Sequence, residues 1–561
     1  MSTSLIPSAL DARTQAFPVL TGAQIGRIRP FGQLRQVKTG EILFEPDDTN
    51  VPFFVLLSGS MEIVQPDLAG ERSIATHGPG EFTGEITMIS GQRLLVRGRV
   101  TAPGDFLEIT GEGLRSLVAK DGELSEILMR AFILRRLELI KGGLGNVILM
   151  GSRHSANTLR LREFLSGNGH PYTYVDLDTD TGSQELLDRF HVSPDEVPVV
   201  ICNGRTVLHS PSNQELADCL GFNANIDLSL VRDLVIVGAG PSGLAAAVYA
   251  ASEGLDVLVV EAGTPGGQAG ASSKIENYLG FPTGLSGHEL AARATTQAQK
   301  FGAQMMVAHS VTRLNCDRRP YKIVLDNSTI LVARAIVIST GARYNKPRIG
   351  HLEQFEGRGI YYSATFMESQ LCEEMEVIVV GGGNSAGQAA VFLSQTARKV
   401  YLLVRAAELS STMSRYLIQR IVENPAIEVH YQTEITVLEG AQQLERVTWR
   451  NNVTAETSTH EIQHVFMMTG ALPRTLWLQG CLALDDKGFI LTGHDLNRVT
   501  LDRVTQTPAW PLERPPQMLE TSLPGVFAVG DVRSGNVKRV ASAVGEGSIA
   551  IHHVHRVLAE L

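Results

Sequence analysis

The sequence predicts a multidomain protein in which a β-roll is followed by several α/β domains. The chain has 561 residues, which is too long for a single hydrophobic core. Short β-type runs separated by Gly, Pro and Asp fill residues 1 to about 140, and this pattern is typical of a small antiparallel roll. From about residue 144 onward, strand-type and helix-type runs alternate, as they do in α/β domains.

Composition and charge exclude several classes of protein. The formal net charge is −10 and the pI is about 5.9, so we expect no nucleic-acid partner, because phosphate backbones are bound by basic surfaces. No run of about 18 apolar residues occurs, and the N-terminal segment has no basic start followed by an apolar stretch. We therefore expect no membrane span, no secretory signal and a cytoplasmic location.

Five cysteines are present, and none lies within three residues of another. Without a C-x-x-C motif, neither a zinc knuckle nor a vicinal dithiol is predicted. In a reducing cytoplasm we expect all five to be small buried hydrophobic side chains. We predict no metal site and no catalytic side chain. The cysteines are Cys202, Cys219, Cys316, Cys372 and Cys481.

The N-terminal segment combines several strand-type runs with a helix-type run over 123–140. KTGEILFEPDD, the hairpin-like FFVLLSGSMEIV and GPGEFTGEITMISG follow one another. These motifs resemble the early strand, the strand–glycine–strand hairpin and the entry to the phosphate-binding cassette of the cyclic-nucleotide-binding domain family. We assign this domain, a β-roll, to residues 1–143.

The resemblance implies a candidate cyclic-nucleotide site at Gly84 and Glu85. In the family such a pair opens a short helix, whose N-terminus holds the cyclic phosphate while the Glu accepts a hydrogen bond from the ribose. Nine residues after the Glu, where the family has a phosphate-binding arginine, this chain has Leu94. We therefore expect weak or no cyclic-nucleotide binding; the alternative role is that of a regulatory or dimer-forming domain. The neighbouring arginines out of register are Arg93, Arg97 and Arg99.

Residues 144–222 alternate in the order β-α-β-α-β-β-α. This order resembles the thioredoxin fold in its short glutaredoxin-like form. The resemblance implies a cis bond at Val197-Pro198 and a C-x-x-C motif where the first helix begins. This chain has the sequence SANT, residues 155–158, at that place. We expect a docking or spacer domain rather than a redox domain, with Ser155 and Thr158 as ordinary N-terminal helix residues.

The most informative stretch is DLVIVGAGPSGLAAAVYAASEGLDVLVVE, which predicts a buried strand, a glycine-rich turn, a helix and a second strand. In its G-x-G-x-x-G loop the first glycine permits the tight turn, the second lets a pyrophosphate approach, and the third lets helix and strand pack closely. An acid ends the second strand, where it can bond ribose hydroxyls and repel a 2′-phosphate. The candidate cofactor residues are Gly238, Gly240, Pro241, Ser242, Gly243 and Glu261.

EVIVVGGGNSAGQAAVFL and KVYLLVR form a second unit of the same kind, with the loop G-x-G-x-x-A. Its second strand ends at Arg405, which suits the 2′-phosphate of NADP through a bidentate contact; the alternative is a surface cation. The two units predict two Rossmann-like α/β domains, which bind FAD first and NADPH second, with NADH left open. The candidate residues are Gly381, Gly383, Asn384, Ser385, Ala386 and Arg405.

The whole of this C-terminal segment resembles the thioredoxin-reductase family through TPGGQAGASSKIENYLGFP, VISTGA, LPGVFAVGDV and KRVASAVGEG. The resemblance implies a homodimer and an FAD domain split into 231–347 and 486–561 around an NADPH domain at 348–485. A Pro-rich stretch at 501–517 is predicted to be a loop. The implied flavin contacts are Gly267, Gln268, Asn277, Gly341, Gly530, Asp531, Arg539, Val540 and Ala541.

One departure from the family bears on mechanism. The family's C-x-x-C motif lies just before the second glycine loop, where this chain has SATF, residues 363–366. In the first of three hypotheses, an FAD-dependent NADPH oxidoreductase reduces a ferredoxin, a quinone or a small oxidant directly from flavin. In the second, a disulfide reductase uses a distant cysteine, with Cys372 as the candidate. In the third, the protein is a non-enzymatic redox sensor in which the flavin state changes domain packing.

Overall fold

The structure is a computed structural model, and it describes residues 14–67, 70–84, 88, 93–141, 147–153, 155–178, 197–202, 206–272, 274–362, 364, 366–496 and 510–560. Within these ranges no helix is long and apolar enough to cross a bilayer. The same residues contain no group of three or more His, Cys, Asp or Glu side chains that could hold a metal ion.

Within the residues that the structure describes, the N-terminal unit contains the strands β1 Gln33–Val37, β2 Ile42–Phe44, β3 Phe53–Leu56, β4 Ser60–Asp67, β5 Gly70–His77, β6 Arg97–Ala102 and β7 Gly104–Ile109, together with the helices α1 Gly22–Ile28, α2 Gly111–Lys120 and α3 Gly122–Lys141. The strands form two antiparallel sheets with the orders β1-β7-β3 and β2-β6-β4-β5. Helix α3 confirms the helix predicted over 123–140. Its Phe132 packs edge-on against Phe53 and Phe82 in the core.

The middle unit contains β8 Val147–Gly151, α4 Ala156–Gly167, β9 Thr173–Asp176, β10 Val199–Cys202, β11 Thr206–His209 and α5 Asn213–Leu220. Its sheet order is β11-β10-β8-β9, in which β8 and β9 are parallel and the other pairs are antiparallel. The Val197-Pro198 bond is cis, as the pattern predicted. Ser155 caps α4 by accepting a hydrogen bond from the Thr158 N–H. The second predicted helix, at 183–190, lies outside the described residues.

The first α/β unit contains β12 Val231–Val237, α6 Pro241–Ser252, β13 Val257–Glu261, α7 Gly267–Gly270, α8 Gly287–Lys300, β14 Gln304–Val307, β15 Val311–Asn315, β16 Tyr321–Leu325, β17 Ile330–Ile338, β28 Val526–Ala528 and α12 Val540–Ala559. The sheet order is β14-β13-β12-β17-β16-β15, and β28 also pairs with β17. Strand β12 pairs in parallel with β13 and β17. Helices α6 and α12 pack against each other.

The second α/β unit lies between β17 and β28 in the chain. It contains β19 Ile360–Tyr361, α9 Phe366–Leu371, β20 Glu376–Val380, α10 Asn384–Leu393, β21 Lys399–Val404, α11 Arg415–Val422, β22 Ile427–Tyr431, β23 Thr433–Glu439, β24 Arg446–Asn451, β25 Thr457–His460 and β26 His464–Met467. A parallel sheet has the order β19-β26-β20-β21-β22, and β23-β24-β25 form a separate antiparallel sheet.

Two antiparallel strands connect the α/β units: β18 Ala342–Tyr344 leaves the first unit and β27 Ala471–Pro473 returns to it. Each follows a Thr-Gly pair whose glycine has positive φ, +61° at Gly341 and +89° at Gly470. Of the loop predicted at 501–517, residues 510–517 contain no helix or strand, and the remainder lies outside the described residues.

The middle unit packs directly on the first α/β unit. One cluster of buried side chains includes Leu161 and Phe164 of α4 together with Leu234 and Leu244 of the first α/β unit. The Asn223 side chain also pairs with the backbone of Val307 on edge strand β14 through two hydrogen bonds of 3.0 Å. The two units therefore share a core, and the segment after the middle unit binds the edge strand of the first α/β sheet.

Candidate functional site

The first glycine loop, residues 238–243, joins β12 to α6. Gly238 has φ +104°, and a Cβ atom there would lie 2.4 Å from the Ser339 carbonyl oxygen. A Cβ atom on Gly243 would lie 1.9 Å from the Gly238 carbonyl oxygen, so only glycine lets the helix pack against the loop. At Gly240 an added Cβ would meet nothing within 4 Å. The loop is therefore closed by its first and third glycines and open at its second.

The open position faces the start of a helix. Gly240 is the N-cap of α6, and Pro241 occupies its first turn. The free amide groups of a helix N-terminus attract negative charge. Ser242 is buried, and a Cβ atom on Gly530 would lie 2.5 Å from its Oγ. Two predicted motifs from opposite ends of the split unit thus meet beside this helix start.

Glu261 ends β13 next to the loop. Its Oε2 accepts a hydrogen bond from the Ala239 N–H at 2.7 Å, and its Oε1 accepts one from the Gly263 N–H at 2.9 Å. Burial raises the pKa of this carboxyl, although the amide donors and Arg474 oppose the shift. Because a carboxylate offers about four lone-pair sites, ribose hydroxyls can be bound in addition to these amides.

The predicted flavin contacts near residue 267 lie at the connection between the two α/β units. Gly266 and Gly267 have φ of +111° and +55°, which turns the chain into α7. The Gln268 side chain then donates a hydrogen bond to the Ala342 carbonyl, one residue after Gly341. The structure therefore brings Gly267, Gln268 and Gly341 together.

Asn277 lies on an exposed segment that touches the second α/β unit. Its neighbour Glu276 pairs with Arg420 of α11, with Nη1 and Oε2 2.5 Å apart. Lys274 also contacts Glu276, at 2.9 Å. This ion-pair group joins the segment expected at the flavin to the second unit, and the sequence did not predict it because its members are remote in the chain.

The Gly-Asp motif at 530–531 is held by a residue that sequence reasoning missed. The Gly530 N–H donates to Glu546 Oε2 at 2.7 Å, and Arg533 pairs with the other oxygen of the same carboxylate. Glu546 lies within α12, in the matched motif KRVASAVGEG, and this was the available signal. Burial raises the pKa of the partly exposed Asp531.

The last predicted flavin contacts begin helix α12. Arg539 is its N-cap, and Val540 and Ala541 form its first turn. Arg539 and Ala541 are exposed, and Val540 is half-buried. The three residues therefore lie at a helix N-terminus, whose first backbone amides have no partner within the helix.

The second glycine loop repeats the pattern of the first. A Cβ atom on Gly381, which has φ +147°, would lie 2.4 Å from the Met468 carbonyl oxygen, whereas at Gly383 the nearest atom is 3.9 Å away. Ala386 is fully buried and Ser385 is exposed. The Asn384 side chain accepts a hydrogen bond from the Ser414 N–H at 2.7 Å. The helix that starts here is α10, with Gly383 as its N-cap.

Arg405 directly follows strand β21 and is exposed. Its position at the carboxyl end of a parallel strand, next to the glycine loop, is where doubly wound sheets bind ligands. A 2′-phosphate partner and a surface cation both stay open as interpretations of this side chain.

The candidate cyclic-nucleotide site borders a cavity whose lining contains both apolar and charged side chains, with Arg135 among the charged ones. Gly84 has φ +107°, and its carbonyl accepts a hydrogen bond from Arg135 Nη1 at 2.8 Å. Glu85 lies outside the described residues. Leu94 is buried and lines a cavity of about 220 Å³ together with Phe44 and Val96. Sequence reasoning missed Arg135, a basic residue among the apolar positions of α3.

The three arginines near Leu94 contact other protein groups. Arg97 pairs with Glu45 and Arg99 with Glu62. Arg93 donates from Nη1 to the Cys219 carbonyl of the middle unit at 3.4 Å. Each of these arginines therefore has a protein contact outside the cavity.

Comparison with known proteins agrees with this geometry. Residues 232–547 match the family model described as pyridine nucleotide-disulphide oxidoreductase, and residues 34–121 match that of the cyclic nucleotide-binding domain. The chain belongs to the pyridine nucleotide-disulphide oxidoreductase family. The predicted fusion of an N-terminal cyclic nucleotide-binding domain to thioredoxin-reductase-like domains is confirmed.

Several thioredoxin reductases are similar to the C-terminal part of this oxidoreductase. That of Bacillus subtilis (strain 168) is 31% identical over 332 residues, which are 59% of this chain and 96% of that protein. NADPH-dependent thioredoxin reductase 3 of Arabidopsis thaliana is 31% identical over 336 residues, 59% of each chain. The crystal structure of Lactococcus lactis thioredoxin reductase in the FR conformation superposes with a TM-score of 0.52 at 26% identity, covering 59% of this chain and 100% of that chain.

The prediction that all five cysteines are small buried hydrophobic side chains is wrong for the two that form a disulfide, and Cys219 is only half-buried. In this family member Cys316 and Cys481 form a disulfide, with Cα atoms 5.7 Å apart. Cys316 follows β15, and Cys481 lies on the segment that returns from the second α/β unit. The pairing could not be predicted because the partners are 165 residues apart and belong to no motif.

Cys372, the candidate of the second hypothesis, is fully buried after α9. Its Sγ donates to the Glu368 carbonyl at 3.3 Å. Burial raises the pKa of this thiol to about 12. Because the thiolate is the reactive form, these surroundings disfavour Cys372 as an electron acceptor in this oxidoreductase.

The segment where thioredoxin reductases are expected to carry their dithiol lies next to the middle unit. Ser363 and Thr365 are outside the described residues, and Ala364 is buried. A Cβ atom on Gly357 would lie 2.6 Å from the Cβ of Ala156, at the start of α4. Further along α4, the Glu163 carboxyl shares a hydrogen bond with buried Glu368 of α9; desolvation and then Glu368 raise the pKa of Glu163 to about 7. Sequence reasoning did not predict this contact.

Proposed function

We propose that this chain is an FAD-dependent NADPH oxidoreductase that delivers electrons to an acceptor other than thioredoxin. The observation that carries the proposal is the pair of glycine loops, each open at its second glycine and each placed at a helix start. Both loops have the shape that admits a pyrophosphate. A chain with one such loop binds one nucleotide, whereas two loops in one chain support transfer between two.

The residues of the first α/β unit fit FAD. Gly240 provides the open approach for the pyrophosphate, and the α6 N-terminus offers amide donors and a favourable dipole. Glu261 has lone pairs left for the ribose, and Asp531 lies beside Gly530 for the ribityl chain. The free amides at the start of α12, next to Arg539, suit the polar edge of the ring system. When bound, FAD supplies two-electron chemistry and accepts a hydride from a nicotinamide.

The second α/β unit fits NADPH in the same way. Gly383 leaves space for the pyrophosphate, and exposed Arg405 can pair with a 2′-phosphate. The contact between Arg420 and Glu276 holds this unit against the segment that carries Asn277. That orientation favours a nicotinamide close to the flavin site. NADPH is proposed as the donor, with NADH as the alternative.

The acceptor is proposed to be a ferredoxin, a quinone or another small oxidant. The SATF segment at 363–366 contains no sulfur, and buried Cys372 is held in its thiol form. The contacts of α4 with Gly357 and Glu368 also cover the side of the second α/β unit next to that segment. A separate thioredoxin would meet the protein's own middle domain there. We infer that the middle domain is a docking module with a thioredoxin-like fold.

The test has two stages. Purified protein is mixed with NADPH in a stopped-flow instrument, and loss of the flavin absorbance is recorded. Turnover is then measured with thioredoxin, a model disulfide, ferredoxin and a quinone at equal concentrations. Fast loss of absorbance with quinone or ferredoxin turnover well above thioredoxin turnover supports the proposal. Absent flavin reduction contradicts the oxidoreductase function altogether.

A redox sensor is the second candidate function, and one observation favours it. The middle unit contacts the N-terminal unit through Arg136, whose Nε donates to the Gly169 carbonyl at 2.9 Å, and it contacts both α/β units as described. A structural change that follows flavin reduction could thus be transmitted to the N-terminal domain through the contacts of the middle unit. Fast flavin reduction without turnover on any acceptor would identify the sensor.

Homodimer formation and a cytoplasmic location stay predictions from the family resemblance and the sequence. Light scattering during gel filtration, which gives a mass near one or two chains of 60.8 kDa, tests the first. Fractionation of cells that express the tagged chain tests the second.

A further inference from the structure

A disulfide joins two parts of the molecule that are far apart in the chain. Cys316 follows β15, the edge strand of the first α/β sheet, and Cys481 lies on the return segment, which we define as residues 474–493. The Cα atoms of the two cysteines are 5.7 Å apart. The bond therefore attaches the return segment covalently to the edge of the sheet.

The last part of the return segment binds the chain just after the Gly-Asp motif at 530–531. The Ile490 N–H donates to the Val532 carbonyl at 3.0 Å, and the Ser534 N–H donates to the Ile490 carbonyl at 2.8 Å. The Ser534 hydroxyl also donates to Asp485 Oδ2 at 2.7 Å. The position of this predicted flavin motif thus depends on the return segment.

The first part of the return segment binds a second predicted flavin contact, Gly341. The Gly341 carbonyl accepts a hydrogen bond from the Arg474 N–H at 3.3 Å, and Thr340 Oγ1 donates to the Arg474 carbonyl at 3.1 Å. Cys481 lies between these two regions of contact in the chain. The disulfide therefore restrains a segment that touches the candidate flavin site on both sides of Cys481.

The two cysteines differ in exposure. Cys316 is half-buried and is followed by exposed Asp317 and Arg318 in the turn between β15 and β16. Cys481 is buried, with its Sγ 3.2 Å from the Leu314 carbonyl oxygen. A thiol in solution therefore reaches the Cys316 sulfur more readily than the Cys481 sulfur.

We propose that this disulfide is a site of thiol–disulfide exchange with low-molecular-weight thiols, and that its reduction loosens the candidate flavin site. A thiolate attacks Cys316 Sγ, the S–S bond breaks, and Cys481 leaves as a thiolate and takes up a proton. A second thiol attacks the small-molecule sulfur of the mixed disulfide and releases Cys316. Two thiols and one protein disulfide thereby give two protein thiols and one small disulfide.

Two considerations favour a reversible cross-link. In the reducing cytoplasm predicted for this chain, disulfides are usually transient or redox-sensing. The return segment also stays attached without the bond, because Leu478, Leu482 and Ile490 are buried in the core of the first α/β unit. Reduction is therefore expected to weaken local contacts and leave the domain folded. The effect on FAD rests on the proposed function, whereas the exchange and the loosening do not.

The first experiment uses the full-length protein purified without reductant. Accessible thiols are blocked with iodoacetamide, the excess is removed, and the protein is incubated with reduced glutathione or with buffer alone. N-ethylmaleimide is then added in denaturant, and labelled peptides are quantified by mass spectrometry. Glutathione should raise the N-ethylmaleimide label on Cys316 and Cys481 but not on Cys219 or Cys372. Iodoacetamide on Cys316 before reduction, or no rise after it, would overturn the proposal.

The second measurement is hydrogen exchange of the FAD-free protein before and after reduction. The bond joins residues 165 positions apart, and cross-links that close long loops usually change an unfolding equilibrium by about tenfold or more. Protection of residues 474–493 and 530–534 should therefore fall about tenfold, while that of β20 and β21 in the second α/β unit stays the same. Unchanged protection after complete reduction would overturn the loosening.

Variants provide an independent form of the same comparison. Cys316→Ser/Cys481→Ser should show the hydrogen exchange of the reduced wild type, and Cys372→Ser should show that of the oxidised wild type. Chemical reduction of the wild type decides the question even where the double variant fails to fold. A folded double variant with the protection of the oxidised protein would overturn the loosening.

A third measurement follows FAD release by the fluorescence of the free cofactor. The reduced wild type and the double variant should release FAD roughly threefold faster or more than the oxidised wild type, because local opening precedes release. Equal release rates would overturn the link to the flavin site. Failure of every form to bind FAD would contradict the proposed function, and the labelling and hydrogen-exchange results would still decide the exchange and the loosening.

Discussion

Replacing Gly240 by valine should abolish FAD binding and leave folding intact. An added Cβ at this position meets no atom within 4 Å, and the backbone has an ordinary extended conformation, φ −70° and ψ −179°. The protein alone therefore has room for the side chain. The space that valine fills is the space that the pyrophosphate needs, so the variant should fold and remain colourless.

The magnitudes follow from the same geometry. Without FAD, Gly240→Val should equal the wild type in free energy of unfolding or exceed it by up to about 1 kcal/mol, because glycine has the more flexible unfolded chain. FAD at about 100 times its dissociation constant should stabilise the wild type by about 2.7 kcal/mol and leave the variant unchanged. Gly243→Ala is the contrasting control: its Cβ would lie 1.9 Å from a backbone oxygen, and overpacking of this kind costs about 1–3 kcal/mol or more.

The assay is denaturant unfolding of the apo proteins, with and without FAD, together with the flavin content after gel filtration. A yellow Gly240→Val protein would refute the assignment of the first loop. A variant that is colourless because it is unfolded, as judged by circular dichroism, would refute the steric reasoning. Loss of flavin with wild-type apo stability is the only result that agrees with both parts.

Four further predictions follow. Arg405→Glu should weaken the use of NADPH much more than that of NADH, since a charge-assisted bond contributes about 1.5–3 kcal/mol; equal losses in steady-state kinetics would make Arg405 a surface cation. Cys372→Ser should leave turnover on every acceptor unchanged, and loss of robust disulfide reduction would restore the second hypothesis. Cyclic nucleotides should bind weakly or not at all in calorimetry, whereas sub-micromolar affinity would mean that Arg93 or Arg97 binds the phosphate, since Leu94 stands where the family has its arginine. The raised pKa of Glu163 means that the folded protein keeps a proton that the unfolded chain loses above about pH 4.5, so the stability that this proton contributes should fall as pH rises from about 4.5 to about 7 and change little above that; the protection factors of α9, which are corrected for the intrinsic pH dependence of amide exchange, should fall over this range in wild type but not in Glu163→Gln.

Much of the dinucleotide architecture could be predicted because it depends on local rules. Gly238 must permit a tight turn and Gly243 must let the helix pack closely, and both requirements arise within one short loop. The structure agrees with both. The helix over 123–140 and the cap at Ser155 are likewise decided by neighbouring residues. Such features need no knowledge of the rest of the chain.

The features that the sequence did not reveal all depend on remote segments. Cys316 and Cys481 meet only because the chain returns from the second α/β unit beside strand β15. Glu546 could have been noticed in a matched motif, but its contact with Gly530 requires the packing of α12. Contacts between remote segments leave no repeating pattern in the sequence. A motif can therefore contain one partner of such a contact without indicating which residue it will contact.

The contact between α4 and α9 involves two segments that were identified from sequence, but the contact itself is seen only in the structure. Residues 155–158 and 363–366 were each identified from sequence as places where a family relative keeps a dithiol, and each contains no cysteine. The structure adds that the helices following these segments touch, through Glu163 and Glu368. Removal of sulfur from one place alone would leave the other with no partner. Neither segment contains a cysteine, and the carboxyl groups of the two helices interact, so the contact agrees with the docking role proposed for the middle domain. We therefore propose that the middle domain is a structural part of the oxidoreductase.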